Sequence, residues 1–272
     1  MEKQIDVISI NRYFGNIGNA HKRCNGSFHH IVYSRAAILR KRKLCKLKGK
    51  TKVKVLVACE ESQAVCTAFR EKGHEAYSCD IQDCSGGHPE WHIMQDVLPL
   101  LNGACEFYTT DGQAHKIEGK WDLIIAHPPC TYLSNAGAAR LYPKKGEINE
   151  ERYKKGLEAK KFFMEFFNAD CEKVCIENPI PTRIYNLPQY TQTIQPYEHG
   201  HPYSKKTCLW LKGLQKITPT NLVEPLCSWV SGGSKDKHGN RRKNCGTKFR
   251  DSKIRSKTFE GIAKAMADQW GK

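Results

Sequence analysis

The 272-residue chain contains no apolar run of the roughly 18 residues that a membrane-spanning helix requires. Its first residues lack the charged-then-apolar pattern and small-residue cleavage site of a secretory leader. A cytoplasmic protein with no membrane partner is therefore expected. Cysteine pairs at C-x-x-C spacing are missing, although the chain holds thirteen cysteines. The odd count and scattered positions argue against a disulfide framework. The nearest groupings are Cys171 with Cys175, and Cys59, Cys66, Cys79 and Cys84 beside His74, His88 and His92. Neither matches a zinc signature, so no metal is expected and most thiols read as reduced, buried small hydrophobes. No internal repeat at a solenoid period is found.

Acidic residues are scarce: 28 Asp and Glu face 44 Lys and Arg, for a net charge of +16. Residues 1–54 hold fourteen of the basic residues against Glu2 and Asp6, a net of +12, which leaves only +4 for the other 218. The run Arg40-Lys41-Arg42-Lys43, followed by Lys46, Lys48 and Lys50, suits contact with a phosphate backbone, which gives affinity without sequence information. It equally suits a solvated tail. Residues 1–52 are thus expected to be a basic extension outside the core.

Regular patterning starts at Val53. The stretch Lys52 to Ala58 reads as a buried parallel strand, and Ser62 is expected to cap a helix running to Lys72. Short strands follow at Glu75–Cys79, ending at Asp80, and at Trp91–Gln95, ending at Asp96. A strand from Trp121 to Ala126 runs into His127-Pro128-Pro129-Cys130, and a helix over about 150–168 leads to the strand Lys173–Ile176 and Glu177-Asn178-Pro179. Alternation of this kind predicts an α/β fold, a Rossmann-like parallel sheet with helices on both faces and its ligand crevice outside the strands' carboxyl ends. Glu60, Asp80, Asp96, Cys130 and Glu177 all fall there. Tyr190–Gln195 and Thr207–Leu211 are β-like, residues 216–255 are loop-like and basic, and Thr258–Trp270 is an amphipathic helix. The expected divisions are a catalytic domain over 53–215, a small recognition region over 216–255 and a C-terminal helix over 256–272 packing back on the catalytic domain.

A carboxylate ending the second strand of such a unit commonly accepts from ribose hydroxyls, which suits Asp80. Asp96, ending the third, is placed to meet an adenine amino group, and the two together favour a nucleoside-containing cofactor. Pro128 and Pro129 stiffen the chain and deny it helix, which holds Cys130 at the sheet edge. Nucleophilic attack requires its thiolate, and a helix starting after the loop is expected to favour that anion. Glu177, ending the next strand, is placed to reach the same substrate as acid or hydrogen-bond acceptor. Burial is expected to raise its pKa and help it hold a proton.

Pro-Pro-Cys followed by Ser134, and Glu-Asn-Pro forty-seven residues after Cys130, resemble the DNA cytosine-5 methyltransferases. The stretches Ala126–Leu133, His201–Thr207 and Phe259–Met266 are similar to the compact members of that group found in phages and bacterial genomes, and the resemblance spans about residues 53–272. It implies a class I methyltransferase sheet with a small, irregular recognition insert, and S-adenosylmethionine as cofactor. It also implies a duplex DNA partner whose target base leaves the stack. Cys130 would add to cytosine C6 while Glu177 engages N3. Cofactor contacts would come from Glu60, Ser62, Asp80, Asp96 and Pro128, and substrate contacts from Asn178, Lys205, Lys206, Arg241 and Arg242. The chain departs from the larger relatives at Ala58-Cys59-Glu60-Glu61-Ser62-Gln63-Ala64, where they carry a glycine-rich loop. Its presumed recognition region is also short. Two other readings stay open: a pyrimidine-C5 transferase acting on free nucleotide or RNA, and a catalytically silent DNA-binding relative.

Overall fold

A computed structural model describes residues 52–144, 146–229, 238–240, 243–244 and 252–272, which all lie in one unit, Thr51–Lys272. Apart from Lys52, the expected basic extension lies outside the described residues, as do Arg241 and Arg242.

The first strand, β1 (Lys54–Ala58), is buried on both faces, which explains why its apolar run does not alternate. Helix α1 (Ala64–Glu71) follows, then β2 (Glu75–Asp80) and β3 (His92–Met94). A hairpin of β4 (Cys105–Tyr108) and β5 (Ala114–Ile117) precedes β6 (Leu123–Ala126). This hairpin has no counterpart in the sequence reading. Its exposed side mixes Glu106 and Lys116 with Tyr108 and Ala114, and the inward residues Phe107 and Ile117 are too few to make a periodic signal.

After β6 come the short α2 (Ala138–Leu141), the long α3 (Glu150–Phe167) and β7 (Val174–Pro179). Then follow β8 (Gln192–Ile194), β9 (Tyr203–Ser204), β10 (Thr207–Lys212), β11 (Cys227–Ser228), β12 (Lys243–Asn244), α4 (Ser252–Ser256) and α5 (Glu260–Trp270).

Seven strands form one sheet in the order β3-β2-β1-β6-β7-β10-β8. All run parallel except β10, which is antiparallel to both neighbours. This is a Rossmann-like α/β sheet. Alternate residues of each strand feed two apolar layers. Leu56, Tyr77, Ile124, Ile176 and Trp210 meet Phe163 and Phe166 of α3 on one face. Val55, Val57, Leu123, Ile125 and Leu209 meet Phe69 of α1 and Met266 and Trp270 of α5 on the other.

A second, three-stranded sheet has the order β12-β11-β9, so it joins strands from both sides of residue 216. Ile217, at the start of the expected recognition region, is buried in the main core, and its backbone is bracketed by both ends of the Gln192 amide. Among the described residues no helix is long and apolar enough to cross a membrane.

Candidate active site

The sheet changes direction between β1 and β6: the chain leaves β1 for β2 on one side and returns as β6 on the other. In open α/β sheets a crevice opens outside the strand ends at such a switch point. Here it is bounded by Cys59 and Glu60 after β1 and by His127 to Cys130 after β6, and the His127 amide donates to the Ala58 carbonyl at 2.9 Å.

The segment after β1 makes its turn without glycine. Cys59 (φ 57°) and Gln63 (φ 58°) both take left-handed conformations, each at a cost of about 1–2 kcal/mol for a residue with a Cβ. Gln63 is held there by burial. Its amide nitrogen donates to the His88 carbonyl at 2.8 Å, and its amide oxygen accepts from the His88 N–H at 3.0 Å. Gly86 lies so close that a Cβ there would sit 2.6 Å from the Cβ of Gln63.

Ser62 does not cap α1. The helix end is capped by Glu60, whose two carboxylate oxygens accept from the amides of Val65 (2.7 Å) and Cys66 (3.1 Å). Glu60, expected to face the cofactor, is observed capping this helix end. Its carboxyl pKa is raised by burial, against the opposing charge of His127 and the two amides.

Asp80 and Asp96 do come together. Burial first, then the charges of Asp80, Cys79 and Asp96, push the Cys59 thiol far up, so both carboxylates lie within electrostatic reach of one atom. Each also accepts an amide of its own turn, Asp80 from Gln82 at 2.9 Å and Asp96 from Leu98 at 3.1 Å. No donor to their second oxygens is found among the described residues.

Beyond β6, Pro128 is buried and its carbonyl accepts from the Asn178 side-chain amide at 2.9 Å. Asn178, itself 1% exposed, therefore ties the Pro-Pro-Cys loop to β7 rather than standing open to a substrate. Its Oδ1 is buried with no partner among the described residues. Cys130 is half-buried, and its carbonyl accepts from the Ser134 amide at 2.9 Å. No long helix begins here: a 3-10 turn at Asn135–Gly137 and the four-residue α2 follow, and α3 starts only at Glu150. The expected helical support for the thiolate is absent. Burial, then Glu177, push the Cys130 thiol above its ordinary value, and Lys205 is the cation that opposes them.

Glu177 meets a partner that the sequence reading did not single out. His127 Nδ1 lies 3.0 Å from Glu177 Oε2, and their side chains are 11% and 16% exposed. Burial is the largest influence on Glu177 and would raise it. The hydrogen bond and charge of His127, with Lys205 and Thr207 nearby, outweigh burial and leave the carboxyl below its usual value. The expectation of a proton-holding Glu177 is reversed. For His127, burial acts downward, but Glu177 and then Glu60 prevail and the imidazole is raised. His127 Nε2 is buried with no partner among the described residues. The only sequence signal for this pair was that both residues end adjacent strands.

Of the two lysines, Lys205 acts on Cys130, Glu177 and His127, and its Nζ lies 5.8 Å from the centre of the Phe259 ring. Lys206 is exposed and its charge acts on Cys208 instead. The structure thus brings Asp80, Asp96, Pro128, Cys130, Glu177 and Lys205 to one edge of the sheet. Glu60 and Asn178 serve as its braces, and Lys206 is turned away.

No protein-family model and no curated protein sequence matches the chain. Among solved structures, it is similar to a methyltransferase of Entamoeba histolytica, with a TM-score of 0.36 and 11% identity over 68% of this chain and 62% of that one. The chain thus spans less than two thirds of that protein's length.

Proposed function

We propose that the protein is a DNA (cytosine-5)-methyltransferase that uses S-adenosylmethionine. The observation that carries this reading is the convergence of Cys130, Glu177 and Lys205 at the carboxyl ends of β6 and β7, beside a switch point flanked by Asp80 and Asp96. Two carboxylates with unfilled oxygens, ending β2 and β3, fit a ribose and an adenine amino group. The buried Pro128, two residues before Cys130, has its carbonyl fixed by Asn178. The cofactor supplies an electrophilic methyl group. The protein's own residues do the rest.

Lys205 favours the Cys130 thiolate against burial and against the charge of Glu177. The thiolate forms its bond to C6 of the ring. The C5–C6 electron pair shifts toward C4 and N3, where a proton from the Glu177 side is taken up, and C5 becomes the nucleophile. After methylation the C5 proton leaves, the C5–C6 double bond re-forms and sulfur departs with its bonding pair. In duplex DNA the base must first leave the stack, at a cost of about a few kcal/mol.

The test is transfer of a labelled methyl group to duplex DNA by the full chain and by Cys130→Ala, with free cytidine nucleotide and RNA as parallel substrates. Labelling of DNA by wild type alone supports the reading. Labelling of nucleotide or RNA in its place moves the substrate, and no labelling of any of them removes the reading. DNA carrying 5-fluorocytosine should trap wild type covalently, because fluorine at C5 prevents the final proton loss.

A further inference from the structure

We propose that His127 holds at Nδ1 the proton that Glu177 delivers to cytosine N3, so that the acid is the buried His127–Glu177 pair rather than Glu177 alone. This rests on the reading of Cys130 and Glu177 given above. It assigns a positioning role to His127, for which the sequence pattern gave no role.

The geometry is direct. The 3.0 Å contact joins two side chains that are both nearly excluded from water. A carboxyl group placed to work alone would keep its own proton by burial. Glu177 instead has His127 at 3.0 Å, and the charges of His127 and Lys205 favour its carboxylate. A site built that way lacks an acid unless a neighbour supplies one.

The charged groups that act on His127 are Glu177 within β7, Glu60 after β1 and Lys205 before β10. The two carboxylates favour the doubly protonated ring, and Lys205 opposes it. Against them, Nε2 is buried with no partner among the described residues, which costs the charged ring an unmet donor.

The proton accounting closes. As sulfur bonds to C6, the proton moves from His127 Nδ1 to Glu177 Oε2 and on to N3, leaving a neutral imidazole and a carboxylate. When sulfur leaves and the ring regains its double bond, N3 returns that proton along the same path. The C5 proton goes to water, and His127 and Glu177 end as they began.

Two readouts on full-length protein test this. First, single-turnover methyl transfer to duplex DNA is followed from pH 6 to 9 for wild type and His127→Gln, with cofactor and DNA affinities measured alongside. The variant should lose about a hundredfold or more in rate with both affinities unchanged, as expected when a positioned proton donor is removed. Relative to wild type, its rate should rise by about tenfold per unit as pH falls below the His127 midpoint, because solvent must then protonate Glu177 directly while the need for the Cys130 thiolate is common to both. A variant with the wild-type rate and pH profile would overturn the proposal.

Second, the imidazole nitrogens of His127 are titrated by NMR in wild type and Glu177→Gln. The ring should titrate above its ordinary 6.5 in wild type and lower in the variant. A wild-type midpoint at or below 6.5, or one that Glu177→Gln does not move, also overturns it. If wild type labels no cytosine substrate, the reading of function falls by itself, while the titration still decides where the proton rests.

Discussion

Replacing Gly261 with alanine sets two physical effects against each other, and the structure says which wins. Gly261 is the second residue of α5, and within a helix alanine is favoured over glycine by about 0.5–1 kcal/mol. Propensity alone therefore says the substitution stabilises. A Cβ at this position, however, would lie 1.9 Å from the His199 carbonyl oxygen and 3.0 Å from its carbon. These are backbone atoms of a pinned turn: the His199 amide donates to Pro196, Gly200 to Asn221 and His201 to Pro196. Relief requires α5 to move away by more than an ångström, which also stretches the 3.0 Å bond from the Gly261 amide to His201 Nε2. Overpacking of this kind costs typically about 1–3 kcal/mol, occasionally more. Taking the upper part of that range, the net is about 2 kcal/mol of destabilisation. For a unit of this size, about 2–4 °C per kcal/mol gives a fall in Tm of about 4–8 °C. Thermal unfolding followed by circular dichroism, with matched urea titrations, measures it. An unchanged or raised Tm would refute the claim that close backbone approach, rather than propensity, governs this position. The consequence reaches the site, because Phe259, beside Lys205, immediately precedes α5.

Two further outcomes follow from the electrostatics. Glu177 is lowered in the fold, so its contribution to stability is present above its ordinary 4.5 and is lost as pH falls through the lower folded value. His127 is raised, so its contribution is complete below its ordinary 6.5 and is lost as pH rises through the higher folded value. The stability advantage of wild type over Glu177→Gln, measured by urea unfolding at successive pH values, should therefore be greatest between about 4.5 and 6.5 and shrink on either side. An advantage that keeps growing toward pH 9 would contradict the ion pair. Lys205→Met should raise the Cys130 thiol further and slow its alkylation by iodoacetamide several-fold at fixed pH, read residue by residue by mass spectrometry. Lys206→Met should leave that rate unchanged. Equal effects from the two would mean that Lys205 does not face Cys130.

Glu60 shows how far a local pattern carries. Its place after β1 was legible, because a buried parallel strand ends there by composition. Its partners were not, since a carboxylate that faces a cofactor and one that caps the next helix look the same along the chain. Asp80 and Asp96 were easier, because strand ends in a parallel sheet share one edge. The glycine-free turn was visible only as an absence. That Cys59 and Gln63 themselves adopt the left-handed conformation depends on Gln63 being pinned to His88, twenty-five residues away.

The sequence by itself determined the two-faced burial of the sheet, the succession of strands and helices, and the stiffening of Cys130 by the prolines before it. These are properties of neighbouring residues, and periodicity reports which face a side chain takes. Tertiary structure alone decided that His127 meets Glu177, that Asn178 braces the Pro128 carbonyl and that Lys205 rather than Lys206 faces the thiol. Each of the first two contacts joins residues fifty apart. The pairing of β6 with β7 sets which side chains at those strand ends can touch, and no local pattern encodes that register.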